Sequence, residues 1–190
     1  MWLIVIKMAK PIKPKVLELP EGVDVSIDGS IVTIKGPKGE LTRDFKHPST
    51  RFEIVDNKLV VKTTNKKPTK RDKMFINTFA AHLRNMIVGV TKGYVAKLKI
   101  CSGHFPMNVS ISNGKLIIKN FFGEKIPREA KLYNDVDVNI DGEFVIVKGI
   151  NKESVGQTAA NIEQSTRIKN RDRRVFQDGI WIVEKTHPEE

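Results

Sequence analysis

Asp24–Gly39 reads DVSIDGSIVTIKGPKG, and Asn108–Gly123, 84 residues further on, reads NVSISNGKLIIKNFFG. Val-Ser-Ile, a turn, an apolar run, a lysine and a terminal glycine recur in the same order. A second correspondence sits at an offset of 85, where Asp56–Val61 (DNKLVV) matches Asp141–Ile146 (DGEFVI). Two separate matches at nearly one offset indicate a duplication of a unit of about 85 residues, which is domain-sized and too long for a solenoid repeat.

Each copy opens with alternating, strand-like runs broken by short turns: Asp28-Gly29 and Asp56-Asn57 in the first, Asn113-Gly114 and Asp141-Gly142 in the second. Each then closes on a helical pattern. In the first copy Met74, Phe75, Phe79, Leu83, Met86, Ile87 and Val90 make an apolar stripe, entered from Thr69 and ending near Gly89. In the second, Ser154 and Gln157 have capping-box spacing, and Val155, Ala159 and Ile162 form a thinner stripe. Strands followed by a helix, twice, give an α+β fold: two tandem homologous domains, each a small, mainly antiparallel sheet with one helix packed on a face. The expected divisions are an N-terminal arm at 1–15, a first repeat domain at 16–91, and a second at 92–190 that carries a basic C-terminal extension.

The arm contains a five-residue apolar run, Trp2–Ile6, too short for a membrane span or a signal-peptide core, and then Lys10-Pro11 to Lys13-Pro14, which favours extended chain. Met8 is an alternative start. Of 190 residues, 33 are Lys or Arg and 22 are Asp or Glu, a surplus of +11 that attracts phosphate backbones or anionic membranes. Residues 1–92 hold 18 basic and 9 acidic groups, and residues 93–190 hold 15 and 13. Basic groups in the second half therefore matter through clustering. A single cysteine, Cys101, excludes an internal disulfide and fits a reducing compartment, with the cytosol expected.

That clustering occurs at Arg167–Val183, RIKNRDRRVFQDGIWIV, which follows the second helix and has no counterpart after the first. An extended run would project Arg167, Lys169, Arg171 and Arg173 from one side, with Asn170 and Arg174 on the other. Asp178-Gly179 suits a tight turn, and Ile180–Val183 is β-prone. The segment is either a cationic rail for a polyanion or a solvated face, and pattern alone leaves both open.

Enzymatic chemistry has little support. Cys101 and His104 form a C-x-x-H pair, but a structural zinc site needs about four ligands and His47, His82 and His187 are scattered, so no metal site is expected. A catalytic Cys-His pair at this spacing on a strand end would be unusual. Gly36–Gly39 lacks P-loop spacing, and no carboxylate pair stands out for acid/base work. No cofactor and no small-molecule substrate are implied. A membrane-surface binder would need a basic amphipathic helix, whereas the basic cluster lies on an extended run.

Two loops of the second copy carry aromatic groups beside basic ones: Ser102–Pro106, with His104 and Phe105, and Asn120–Lys125, with Phe121 and Phe122. Such rings stack on splayed bases or pack against RNA sugars. The alternative is that Phe121 and Phe122 fill a groove between the two domains.

The chain resembles the large-ribosomal-subunit protein family numbered six in bacteria and nine in eukaryotes, in its archaeal and eukaryotic form. The resemblance is carried by VTIKGPKGELTRDF (Val32–Phe45), HFPMNVSI (His104–Ile111), NFFGEK (Asn120–Lys125) and above all TRIKNRDRRVFQDGIWI (Thr166–Ile182), in order from about Lys15 to Lys185. It implies two α+β domains and a non-enzymatic protein binding large-subunit rRNA, chiefly through the second domain. The implied location is near the sarcin-ricin loop and the stalk base, among neighbouring large-subunit proteins, where translational GTPases dock. By resemblance Lys169, Arg171, Arg173 and Arg174 would meet phosphates, with Arg167, Asn170 and the loops holding His104, Phe105, Asn120, Phe121, Phe122 and Lys125 near the same surface. Trp181 stands where the family usually has tyrosine, and the family offers no role for the N-terminal arm.

Overall fold

A computed structural model of the chain describes residues 13–65 and 67–189. The expected 1–15 arm and the question of Met8 lie almost wholly outside these residues. The fold is α+β and is made of two compact units, one ending at Ile87 and the other beginning at Val88.

The first unit runs β1 (Lys15–Glu18), β2 (Asp24–Asp28), β3 (Ile31–Gly36), β4 (Gly39–Asp44), β5 (Thr50–Val55), β6 (Lys58–Thr63) and α1 (Lys70–Thr91), the last turn of α1 crossing into the second unit. It builds two three-stranded antiparallel sheets, in the orders β2-β3-β4 and β1-β6-β5. The second unit repeats the plan with β7 (Tyr94–Cys101), β8 (Asn108–Ser112), β9 (Lys115–Lys119), β10 (Arg128–Lys131), β11 (Val136–Asp141), β12 (Phe144–Gly149) and α2 (Lys152–Ser165), then adds β13 (Gly179–Pro188). Its sheets are β10-β9-β8 and β11-β12-β7-β13, so the repeat seen in the sequence is realised strand for strand. Each unit thus holds two small sheets rather than one.

Turn chemistry sets the registers. Ser112 pairs with Lys115 and Val55 with Lys58, leaving two-residue loops. Asn113-Gly114 and Asp56-Asn57 have φ of 51° and 68°, and 47° and 58°, respectively. Two consecutive positive φ values match the right-handed twist of a hairpin, and Asn, Asp and Gly tolerate them best. Alternation then sends Val32, Ile34, Leu59 and Val61 to full burial in the first unit, and Leu116, Ile118, Val145 and Val147 in the second. Each such side chain contributes about 1.5–3 kcal/mol of burial.

The α1 stripe is rotated from the expected one. Ile76, Ala80, Leu83, Met86, Ile87 and Val90 are buried, Phe75 and Phe79 are half-buried, and Met74 is 55% exposed. Ala80 carries too little apolar surface to mark the face in sequence, yet its small size suits the buried side. Phe75 instead stacks on His47, with ring centroids 4.1 Å apart, while Phe79 meets Phe45 and Phe52 at 5.3 and 6.1 Å.

The helix also passes through Gly89, the expected stop, and ends at Thr91, just before Gly93, whose φ of 79° is the left-handed geometry that follows a helix terminus. Gly89 has a different cause: a Cβ there would collide with the carbonyl oxygen of Ile150. At α2 the cap is Asn151, whose side chain accepts from the Glu153 amide at 3.0 Å, and not Ser154, which is buried inside the helix. Val155, Ala159 and Ile162 are buried as their spacing predicts.

These burials predict that Leu83→Ala lowers the stability of the first unit by about 2–5 kcal/mol, whereas Met74→Ala changes it by less than about 0.5 kcal/mol. Urea unfolding of the full chain checks both; equal midpoints for the two variants would contradict the assignment of the buried face.

Candidate nucleic-acid interface

The chain from α2 to β13 is folded back on itself. The extended run expected over 167–174 does not form. Ile168 turns into the core at 8% exposure, Asn170 adopts left-handed geometry (φ 58°), and the amides of Val175 and Phe176 both donate to the Asp172 carbonyl. Arg167, Lys169, Asn170, Arg171, Arg173 and Arg174 are exposed, but they ring a turn instead of lining one side of a strand. One buried isoleucine and one left-handed asparagine break the alternation that a strand requires.

Asp178-Gly179 is likewise no turn. Gly179 opens β13 opposite Cys101, and the Asp178 side chain is 3% exposed. Its carboxylate accepts from the Gly103 amide at 3.0 Å, the His104 amide at 3.1 Å and His104 Nδ1 at 3.0 Å. Burial works against its charge, but the donors from His104 and Gly103 outweigh it, and the carboxyl is held below the usual aspartate range. The Ser102–Pro106 loop is thereby fastened to the root of the basic loop. A Cβ on Gly103 would stand 3.1 Å from Asp178 Oδ1, a close approach that favours glycine there.

An aromatic group completes the fastening. The His104 ring stacks on Phe176 (5.1 Å, 29°), Phe122 lies 5.9 Å from His104 and 5.8 Å from Phe176, and the Arg171 guanidinium sits over both phenylalanines at 5.3 and 4.9 Å. Asn120 and Phe122 both have positive φ (60° and 51°), and Asn120 Nδ2 donates to the Pro106 carbonyl at 3.1 Å. The two aromatic loops and the basic loop therefore form one surface. Lys125 and Phe105 are exposed.

Phe121 is 1% exposed and belongs to the second unit's own core, with Arg128 packed on its ring at 4.1 Å. Its ring offers no face to a base. Phe122 is half-buried against the same core.

Charge is unevenly spent across the loop. Arg174 grips Asp172 through Nε and a terminal nitrogen at 2.7–3.2 Å, which offsets its charge locally and lowers the Asp172 carboxyl. Arg167, Lys169 and Arg173 have no ion pair among the described residues. Beside the loop, an open groove of about 1120 Å³ is edged by Lys99, His104, Asn108, Lys119, Asn120 and Asp178.

Two residues that sequence reasoning missed hold the site together. Arg128 binds both oxygens of Glu124 (2.6 and 2.8 Å) and the carbonyls of Ser165 and Arg167 (3.0 and 3.1 Å), joining the 120–125 turn to the end of α2. Asp178 was visible only as half of a turn-like Asp-Gly pair. Arg128 carries no sequence signal.

The profile of the family described as "Ribosomal protein L6" matches this chain twice, over residues 19–93 and 105–179. The chain is 47% identical over 171 residues to the large ribosomal subunit protein uL6 of Methanosarcina mazei, covering 90% of this chain and 96% of that protein. It is 48% identical to the uL6 protein of Methanobrevibacter smithii (89% and 94% covered) and 49% identical to that of Desulfurococcus amylolyticus (89% and 92% covered). The chain belongs to the ribosomal protein L6 family. The double match coincides with the duplicated fold, and the second matched segment ends at Gly179, so it takes in the whole basic loop. These relatives are proteins of the large ribosomal subunit. No described helix is long and apolar enough to cross a membrane.

The Asp178 clamp has a definite pH signature. A carboxyl more acidic folded than unfolded contributes stability above the usual aspartate range, and loses it as pH falls through its lower folded value. The Gly103 and His104 amide resonances are therefore expected to titrate with a midpoint below the usual aspartate value of about 3.9. Asp178→Asn is expected to abolish that titration while leaving β12 amides unmoved; a midpoint above the usual value would contradict the clamp.

Proposed function

We propose that the chain is a structural constituent of the cytosolic large ribosomal subunit and binds large-subunit rRNA through the second unit. The observation that carries this is a fastened loop whose exposed cations Arg167, Lys169 and Arg173 lack carboxylate partners. Lys169, Arg171 and Arg173 neutralise phosphates; Arg167, Asn170, Lys125, His104, Phe105, Asn120 and the edge of Phe122 border the same surface, and Arg174 contributes with its charge already shared with Asp172. Because the deep groove of A-form RNA hides base edges, recognition rests on shape and backbone. Fixed positive charges offset repulsion between converging RNA segments and hold them in place.

The resemblance of the Thr166–Ile182 segment supports a finer location in this proposal: near the sarcin-ricin loop and the stalk base, beside neighbouring large-subunit proteins and the docking surface of translational GTPases. Residues 16–91 and 92–190 serve as the two functional domains in this scheme.

Changing Lys169, Arg171 and Arg173 together to Ala is expected to flatten the salt dependence of rRNA binding by roughly one unit of log-log slope per lost contact. Folding by circular dichroism should persist, since exposed charges contribute little to stability. Arg→Lys at 171 and 173 should be milder if the contacts are point charges, and nearly as severe if the grips are bidentate. A wild-type slope with wild-type occupancy of large subunits would leave the loop a solvated face.

A further inference from the structure

The first unit carries a second concentration of unpaired cations, remote in sequence from the basic loop of the second. Lys46 lies in the β4–β5 connection, Lys67 in the β6–α1 connection, and Lys70, Arg71 and Lys73 in the first turn of α1; all five are exposed. None makes an ion pair among the described residues. The acidic group in these segments, Asp72, is 6% exposed, and Glu53 in the adjoining β5 pairs with Lys62 at 2.6 Å.

Asp72 is what draws these segments together. Its carboxylate accepts from Ser49 Oγ (2.9 Å), Asn65 Nδ2 (3.0 Å), and the amide and hydroxyl of Thr69 (2.7 and 2.8 Å), while the Thr64 amide donates to the Ser49 carbonyl at 3.0 Å. The Thr69 amide, then its hydroxyl and Ser49, hold this carboxyl well below the usual range, so the hub stays ionised and bonded at any physiological pH. Above it Arg71 lies over Phe75 at 5.7 Å, and Phe75 stacks on His47, next to Lys46. The segments that carry the five exposed cations are therefore tied to one buried anion.

Comparison of the two copies shows that the fold does not require it. In the second unit two residues join β12 to α2, Asn151 caps the helix, and Lys152 packs over its own unit's Tyr94 at 5.6 Å. In the first unit six residues join β6 to α1, and the sequence there is TNKKPT followed by KRDK. The same corner of the duplicated scaffold is closed by two residues in one copy and by six, two of them lysines, in the other.

We infer that this corner of the first unit, Lys46, Lys67, Lys70, Arg71 and Lys73 around the Asp72 hub, is a separate binding surface for an RNA phosphate backbone. Charge complementarity selects a polyanion, and membership in a ribosomal family selects RNA among polyanions. The spread of the cations over three segments suits a stretch of sugar-phosphate chain and not a single anion. Point-charge lysines predominate, so the contact is tolerant of sequence.

The test uses the full chain and transcribed large-subunit rRNA, with affinity measured between about 50 and 300 mM potassium chloride. Replacing Lys67, Lys70, Arg71 and Lys73 by Ala is expected to reduce the slope of log affinity against log salt by roughly one unit per contact. Replacing the three lysines by Arg should preserve it. An Ala variant with the wild-type melting temperature and the wild-type slope overturns the inference. Photo-crosslinking of the unmodified protein to the same RNA gives a readout that no folding defect can confound: crosslinked peptides from residues 46–75 are expected, and crosslinks confined to 102–178 would overturn the inference. Measuring the second-unit triple variant in the same titration separates the two surfaces, because loss of slope there with none here removes this inference alone.

Discussion

A buried carboxylate satisfied entirely by neighbouring donors is the interaction on which both charged surfaces of this protein rest. Asp178 in the second unit and Asp72 in the first are 3% and 6% exposed, and each accepts at least three hydrogen bonds from a loop that would otherwise be free to move. An ionised group leaves water at a large cost unless its oxygens are fully bonded, so the loops supplying those donors have little freedom to depart. Each unit thus couples the position of its exposed cations to the satisfaction of one anion. The cations gain fixed places without being neutralised themselves.

The duplication separates scaffold from use. Hairpins β2–β3 and β8–β9 share a two-residue loop and the buried alternation of the strand after it, and so do β5–β6 and β11–β12, although the loop backbones differ in which residues take positive φ. What the copies do not share is where charge gathers: the long β6–α1 connection in one, and the loop and strand after α2 in the other. In the first unit β1 is a four-residue edge strand, whereas its counterpart β7 has eight residues and lies between β12 and β13. The extension therefore does structural work as well, pairing with an edge that would otherwise be open.

Sequence patterns fell short where a residue's role depended on a distant partner. The repeat, the turns, the α+β class and the α2 stripe were legible because period and turn chemistry are local properties. Alternating charge in 167–174 looked like a strand because nothing nearby reveals that Ile168 enters the core formed by β7, β9 and α2. Phe121 and Phe122 looked alike, yet the left-handed backbone at Asn120 and Phe122 sends one ring inside and leaves the other at the surface. Asp178 and Arg128 act across separations of 74 or 75 and 37 or 39 residues, a range at which a single sequence holds no signal for pairing. Ala80 escaped notice because it suits burial by being small.

The order of the basic loop bears on how it would meet RNA. A flexible cationic tail has the same Coulombic attraction, but it must lose backbone and side-chain freedom when it binds, at about 0.5–1.5 kcal/mol for each long side chain immobilised. Here the backbone part of that loss has largely been met in folding. Ile168 and Ile180 anchor the loop at both ends in one core, Thr166 Oγ1 accepts from the Ile180 amide at 3.0 Å, and Trp181 Nε1 donates to the Gln177 carbonyl at 3.0 Å. Arg171, seated over Phe122 and Phe176, has lost part of its side-chain freedom too. Lys169 and Arg173 have not, and they remain free to follow the local path of a phosphate chain. A rigid frame carrying a few adaptable charges favours one shape of RNA over others without reading any base, and shape selectivity of that kind is what distinguishes such a loop from a merely solvated basic face.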